Sequence, residues 1–268
     1  MRRQDGYTLG IQHGRAGAEL PAQLCERNSL KYGHRRGPPA RSMLQGKQDR
    51  TFPTSTSAVS DSCLGKTSGR GRLSAMPKET ELKPASGATP LIAIAAAAVD
   101  TETTGPDATK ARVIQIGAIG IAHGKVVQEA QLDLLIDPGE AIPSEASLVH
   151  GITDADVDGA GSFPDAWAQF QAFIGDRILV GHSIGFDLAV LERECRRARL
   201  RWKKPRALCV RLLATIANPN LADYSLETIA GWLRLEIAGR HSALGDAIAA
   251  GDIFAALIPE LRKRNIRT

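Results

Sequence analysis

The stretch Ala98-Val99-Asp100-Thr101-Glu102-Thr103-Thr104-Gly105 decides the fold. An apolar run that begins at Leu91 delivers two carboxylates, two residues apart, just before a glycine. Residues i and i+2 of a β-strand share a face, so Asp100 and Glu102 leave the strand end on the same side. Carboxylates held that close repel each other, and the pair is stable chiefly when a proton or a cation sits between them. Oxygen donors of this kind suit a hard divalent cation. Taken alone, the octapeptide also fits an ordinary strand end with two solvated acids in a turn.

The residues around it arrange into alternating elements. Leu91 to Val99 reads as a buried strand bounded by Pro90 and Gly105. Arg112 to Ile121 is a second strand, His123-Gly124 a turn, and Val126 to Ile136 a third strand, which together make an antiparallel meander. Asp165 to Ile174 is a helix with Pro164 near its start, Ile178 to Val180 a short buried strand, and Phe186 to Ala198 a helix. Ala207 to Cys209 is a fifth strand, Ser225 caps a helix through Leu233, and Ala243 to Ile258 is the last helix before Pro259. Strands alternating with helices imply crossover connections and an α/β class.

Composition divides the 268 residues unevenly. Residues 1–90 hold 15 of the 34 basic residues and 7 of the 29 acidic ones, so the first third carries about +8 and the remainder about −3. Up to about Ala88 no apolar period of 2 or 3.6 is sustained, and Gly, Ser, Thr, Pro and Arg recur. Such a segment buries too little apolar surface to offset its ordering entropy. The expected organisation is a disordered basic tail over 1–88, a folded domain over 89–263 and a short C-terminal end over 264–268. Met43 and Met76 are further candidate start positions. The basic charge belongs to the tail and is no argument that the folded part binds nucleic acid. Cys25, Cys63, Cys195 and Cys209 show no C-x-x-C spacing, as expected of reduced thiols in a cytoplasmic protein. No segment has the length of a membrane span or the pattern of a signal peptide.

Two further acids fall where acids are costly. Asp187 shares a helical stripe with Val190, Leu191 and Cys195, and Asp246 shares one with Ala249, Ala250, Ile253, Phe254 and Leu257. A charge on a core-facing stripe is costly unless paired or bound to metal. His241 precedes Asp246 by five residues, about 140° apart on a continuous helix, so it belongs to the entry loop, with Ser242 a candidate cap. There its imidazole can overhang the acids as a general base.

These residues resemble the DEDDh 3′–5′ exonucleases, a ribonuclease H-like family that includes the proofreading subunit of bacterial DNA polymerase III, ribonuclease T and oligoribonuclease. The resemblance rests on three ordered motifs, Val99 to Gly105, Gly181-His182-Ser183-Ile184-Gly185-Phe186-Asp187, and Arg240 to Ala247, within about residues 91 to 261. It implies a ribonuclease H-like fold with a mixed five-stranded sheet flanked by helices. It implies that Asp100, Glu102, Asp187 and Asp246 hold two Mg²⁺ or Mn²⁺ ions and that His241 takes the proton of the attacking water. Thr103, Thr104, Val149, His150 and Phe186 are then substrate-binding, with Val149 and Phe186 against unstacked bases. The implied reaction is hydrolysis of the terminal phosphodiester of single-stranded DNA or RNA 3′ ends, with DNA favoured and a DNA polymerase as partner. An RNA-trimming exoribonuclease and a non-catalytic strand-end or polymerase-binding module are the rivals, and the second of these predicts loss of an acid or the histidine.

Ser183 stands where relatives often have asparagine, and Cys209-Val210 where many have Asp-Thr, departures that bear on substrate grip. His182 reads as structural and His123 as a turn residue. Nine basic residues, Arg193, Arg196, Arg197, Arg199, Arg201, Lys203, Lys204, Arg206 and Arg211, crowd nineteen positions. They read either as a solvated face or as a phosphate track with Trp202 as a stacking platform.

Overall fold

The computed structural model describes residues 86–268; the tail expected over 1–88 lies almost wholly outside the described residues. The centre is a five-stranded sheet of order β3-β2-β1-β4-β5. Strands β1 (Ala96–Thr103), β2 (Val113–Ala122) and β3 (Lys125–Leu135) form the antiparallel meander. His123 and Gly124 close the β2–β3 hairpin with φ of 52° and 68°. Positive φ at both central residues matches the right-handed twist of the strands, and glycine takes it without strain. Strands β4 (Ile178–Gly181) and β5 (Ala207–Cys209) continue the sheet in parallel with β1.

Both faces of the sheet are covered, which is why β1 and β2 read as nearly unbroken apolar runs. Ala97, Val99, Ile116 and Leu179 face α3 (Phe163–Ile174) and α4 (Gly185–Arg197). Ala96, Ala98, Ile119 and Val180 face α5 (Val210–Ala217), α6 (Leu226–Leu233) and α7 (Ala243–Lys263). Alanines are weak strand formers, yet on β1 their small side chains let α7 approach closely: a Cβ on Gly251 would sit 3.3 Å from Ala98 Cβ.

Three local expectations are corrected. Leu91–Ala93 is a 3-10 turn rather than the start of β1, because Pro90 fixes φ at −57° and its carbonyl accepts the Ala93 amide at 2.8 Å. Leu91 N–H meets the Arg267 carbonyl at 2.8 Å, which fastens this turn to the chain's end. The last helix does not stop before Pro259 but runs to Lys263, because Leu257, Ile258 and Leu261 stay buried along one face and outweigh the single amide that proline lacks. The helices α1 (Ser144–His150), α2 (Asp154–Val157) and α5 add to the expected set. No residue of α1 is buried, so it has no apolar stripe to read, and α2 is one turn held by a Thr153/Asp156 capping box.

Helix α4 is fixed by a buried carboxylate. Glu194, 2% exposed, accepts Arg112 Nε at 2.6 Å and Arg197 at 2.8 Å, and Arg197 also donates to the Lys110 carbonyl at 2.9 Å. The basic run therefore does not present one face. Arg196 pairs with Glu192, Arg197 is spent on the β1–β2 loop, and Trp202 packs on Trp167 with ring centroids 5.6 Å apart. Lys203, Lys204 and Arg206 line a groove of about 620 Å³ with Asp176 and Arg177. That groove opens where β4 and β5 begin, at the sheet end opposite Asp100 and Glu102. Among the described residues, no helix is long and apolar enough to cross a membrane.

Candidate active site

The strand pair lies where the sequence places it. Asp100 and Glu102 stand near the C-terminal end of β1 on the α7 side, opposite Gly117 and Gln115 of β2. Gly117 is why α7 can begin there: an added Cβ would lie 2.1 Å from the Ala243 carbonyl carbon and the Leu244 nitrogen, both backbone atoms. The helix N-terminus consequently sits directly on β2 beside Asp100. Ser242 caps it by accepting the Gly245 amide at 3.2 Å, as expected. Asp246, in the first turn, completes a cluster in which oxygens of Asp100, Glu102 and Asp246 all lie within 4.8 Å of one another.

Asp187 reaches the same centre from the other face of β1. It is 4% exposed in the first turn of α4 and accepts Thr101 Oγ1 at 2.7 Å. It is not one of the three that converge within 4.8 Å, but its charge is felt there. Loss of surrounding water, then Asp187, Asp246 and Glu102 in that order, raise the Asp100 carboxyl well above its ordinary range, while Arg240 opposes the shift. Burial, then Asp246 and Asp187, lifts Glu102 to about 7 against Arg240, and burial lifts Asp187 to about 7 against the Thr101 hydrogen bond. These are the signs of a site short of positive charge. The donor set, all carboxylate oxygen, fits a hard divalent cation.

Arg240 supplies part of the missing charge. Its guanidinium bridges Asp246 and Glu227 of α6, with Nε 2.8 Å from Glu227 Oε1. His241 follows, exposed, with φ of 61° in the loop ahead of Ser242. The expectation of a loop position holds; among the described residues no hydrogen bond joins the imidazole to the four acids.

Local contacts fix several of the expected substrate residues. Thr103 Oγ1 donates to the Gly105 carbonyl at 2.8 Å, and Thr104 Oγ1 donates to Glu140 at 3.2 Å while accepting the Arg112 amide at 2.9 Å. His150 ends α1; its Nδ1 accepts the Ile152 amide at 3.0 Å, which places the ring proton on the buried Nε2, and burial lowers its pKa against the pull of the Thr103 carbonyl. Leu148 and Val149 of α1 are exposed, while Phe186 is half-buried against the core between the sheet and α4. Ser183 has φ of 57°, a conformation that asparagine tolerates better than most residues. His182 is structural as expected, with its Nε2 2.7 Å from the Tyr224 carbonyl. Sequence reasoning misses Thr101, Arg240 and Gln115, whose parts depend on contacts distant in the chain.

Glu102 and Asp187 hold protons in the fold near neutral pH that the unfolded chain, with ordinary values of 4.5 and 3.8, has already released. Their contribution to stability is therefore complete below about pH 4 and is lost as pH rises through about 7. A melting series in EDTA should show the midpoint falling between about pH 4 and 7, and a flat or rising midpoint across that window would refute this electrostatic account.

Together, the sheet and its carboxylate cluster define a ribonuclease H-like nuclease class. The family model RNase_T, described as an exonuclease, matches residues 97–254, and the chain belongs to this DEDDh exonuclease family. It is 32% identical over 163 residues to the DNA polymerase III subunit epsilon of Aquifex aeolicus, covering 61% of this chain and 80% of that protein. It is 33% identical over 183 residues to a DNA polymerase III subunit epsilon-like protein of Rhodobacter capsulatus, covering 67% of this chain but only 26% of that one. The chain thus spans about a quarter of that curated relative. Among solved structures, Exonuclease X in complex with 5′ overhanging duplex DNA aligns with a TM-score of 0.51 at 23% identity, covering 64% of this chain and 93% of that one. E. coli Exonuclease I in complex with an oligonucleotide aligns with 0.55 at 19% identity, covering 64% and 43%. At those identities the two structures bear on the fold alone.

Proposed function

We propose that residues 89–263 form a metal-dependent 3′–5′ exonuclease domain that removes nucleoside 5′-monophosphates from single-stranded 3′ ends, with DNA favoured. The observation that carries this reading is the convergence of Asp100, Glu102 and Asp246 within 4.8 Å at the strand end, with the charge of Asp187 felt at Asp100. These four would hold two Mg²⁺ or Mn²⁺ ions. Held there, the ions would supply charge stabilisation for phosphodiester hydrolysis. Thr101 orients Asp187 through its 2.7 Å hydrogen bond. His241, exposed beside the cluster, takes the proton of the attacking water and delivers it to solvent. Leu148 and Val149, 85% and 57% exposed, offer apolar surface to the unstacked terminal base, and Thr103, Thr104, His150 and Phe186 line its approach.

The preference for DNA and association with a DNA polymerase draw support from the names of the relatives. Matched DNA and RNA oligonucleotides carrying a 3′ or a 5′ label, incubated with Mg²⁺, Mn²⁺ or EDTA, test the reading. Mononucleotide release from the 3′ label, faster on DNA and abolished by EDTA, is expected. Release first from the 5′ label, or cleavage that survives EDTA, would overturn it, and faster cleavage of RNA would reassign the substrate.

A further inference from the structure

The N-terminus of α7 is tied to the sheet by a side chain outside all three acidic motifs. Gln115 of β2 is 7% exposed and pairs in register with Glu102. Its Oε1 accepts the Ala243 amide at 3.0 Å, and its Nε2 donates to Asp133 Oδ1 of β3 at 2.8 Å. The first amides of a helix have no partner within it. Ser242 satisfies Gly245; Ala243 is satisfied across the sheet. The amide's orientation follows from its two neighbours: an N–H demands an oxygen at Ala243, so the nitrogen must face a carboxylate. Ala243 lies two residues after His241 and three before Asp246, and Gly117 leaves the helix end free to rest on β2 at this point.

We propose that Gln115, oriented by Asp133, is a positioning residue that fixes where His241 and Asp246 stand over Asp100 and Glu102. It touches neither substrate nor ion and acts through the Ala243 amide. This rests on the roles proposed above for Asp246 and His241. The chain Asp133 to Gln115 to Ala243 N–H has a polarity, acceptor then donor and acceptor then donor, and that polarity can be broken and restored without removing volume.

In the full chain, Gln115→Glu places two carboxylates face to face, the introduced one and Asp133. Adding Asp133→Asn restores a donor at position 133 for the introduced carboxylate, whose other oxygen accepts the Ala243 amide. The expected result for Gln115→Glu is a fall in kcat of about 10- to 100-fold with KM nearly unchanged, since misplacement by an ångström costs on that order. Mn²⁺ affinity, measured calorimetrically, should drop by about tenfold, and hydrogen exchange at the Ala243 amide should accelerate. The double variant should recover all three. Gln115→Leu should lose them and not be rescued by Asp133→Asn. A parental kcat in Gln115→Glu, or a double variant that melts like the parent yet recovers neither kcat nor Mn²⁺ affinity, would overturn the proposal. Loss of melting temperature with kcat intact would overturn it too, leaving a merely structural tie. Exchange and Mn²⁺ binding are read without turnover, so a parent that fails to cleave overturns the proposed function while these two still decide the role of Gln115.

Discussion

Asp100→Asn abolishes turnover and at the same time makes the metal-free protein harder to melt. Asp100 is the acid on which the others converge, raised by loss of water and then by Asp187, Asp246 and Glu102. Replacing its carboxylate with an amide of the same shape deletes the ligand proposed to be shared and also the focus of the repulsion. Turnover should fall by more than about 10³-fold, the upper range for losing one preorganised electrostatic group. Mn²⁺ affinity should fall with it. In EDTA near pH 8 the midpoint should rise by about 2 to 4 °C, which corresponds to roughly 1 kcal/mol in a domain of this size. Opposite movements of activity and stability distinguish a strained ligand cluster from a structural acid pair, for which both would drop. A stable variant with parental turnover would remove Asp100 from the chemistry.

The second large effect belongs to His241, and the backbone dictates the substitution. With φ at 61°, alanine would add strain of about 1 kcal/mol or more, whereas asparagine accepts the left-handed region and still cannot serve as a base. His241→Asn should lower single-turnover cleavage by about 10² to 10⁴-fold, the range for loss of a general base. Mn²⁺ affinity and the melting midpoint should hold, since the imidazole is exposed and bonded to none of the acids. The parent's rate should rise with pH, as it does when a base must be unprotonated to act, and the variant should lose that rise. Parental cleavage with an unchanged profile would show that another group, or solvent alone, takes the proton.

Much of this site is legible in the sequence because its parts lie on short, regular elements. The i, i+2 spacing of Asp100 and Glu102 needs only a strand, and the stripes of Asp187 and Asp246 need only helices, which α4 and α7 supply. The apolar run of β2, the alternation along β3 and the His123-Gly124 turn are likewise local. What escapes such a reading is set by contacts across the fold. Leu91 turns because Pro90 and Arg267 hold it, and α7 passes Pro259 because Leu261 is buried beyond it. Trp202 reads as a platform until Trp167 is found against it. Gln115 reads as one polar residue in an apolar strand, and nothing in its neighbourhood along the chain announces Ala243, 128 residues away.

Arg240 gives the centre a property that its acids alone would lack. A cation is already seated at Asp246, and it is tethered: Glu227 grips the same guanidinium from α6. A divalent cation held there as proposed would compete with this guanidinium for Asp246 rather than meet a bare cluster of acids. The Glu227 contact gives the arginine a second carboxylate, so its charge does not depend on Asp246 alone for a partner. The domain carries its own placeholder. Without any bound ion, part of the repulsion among its acids is already offset from within.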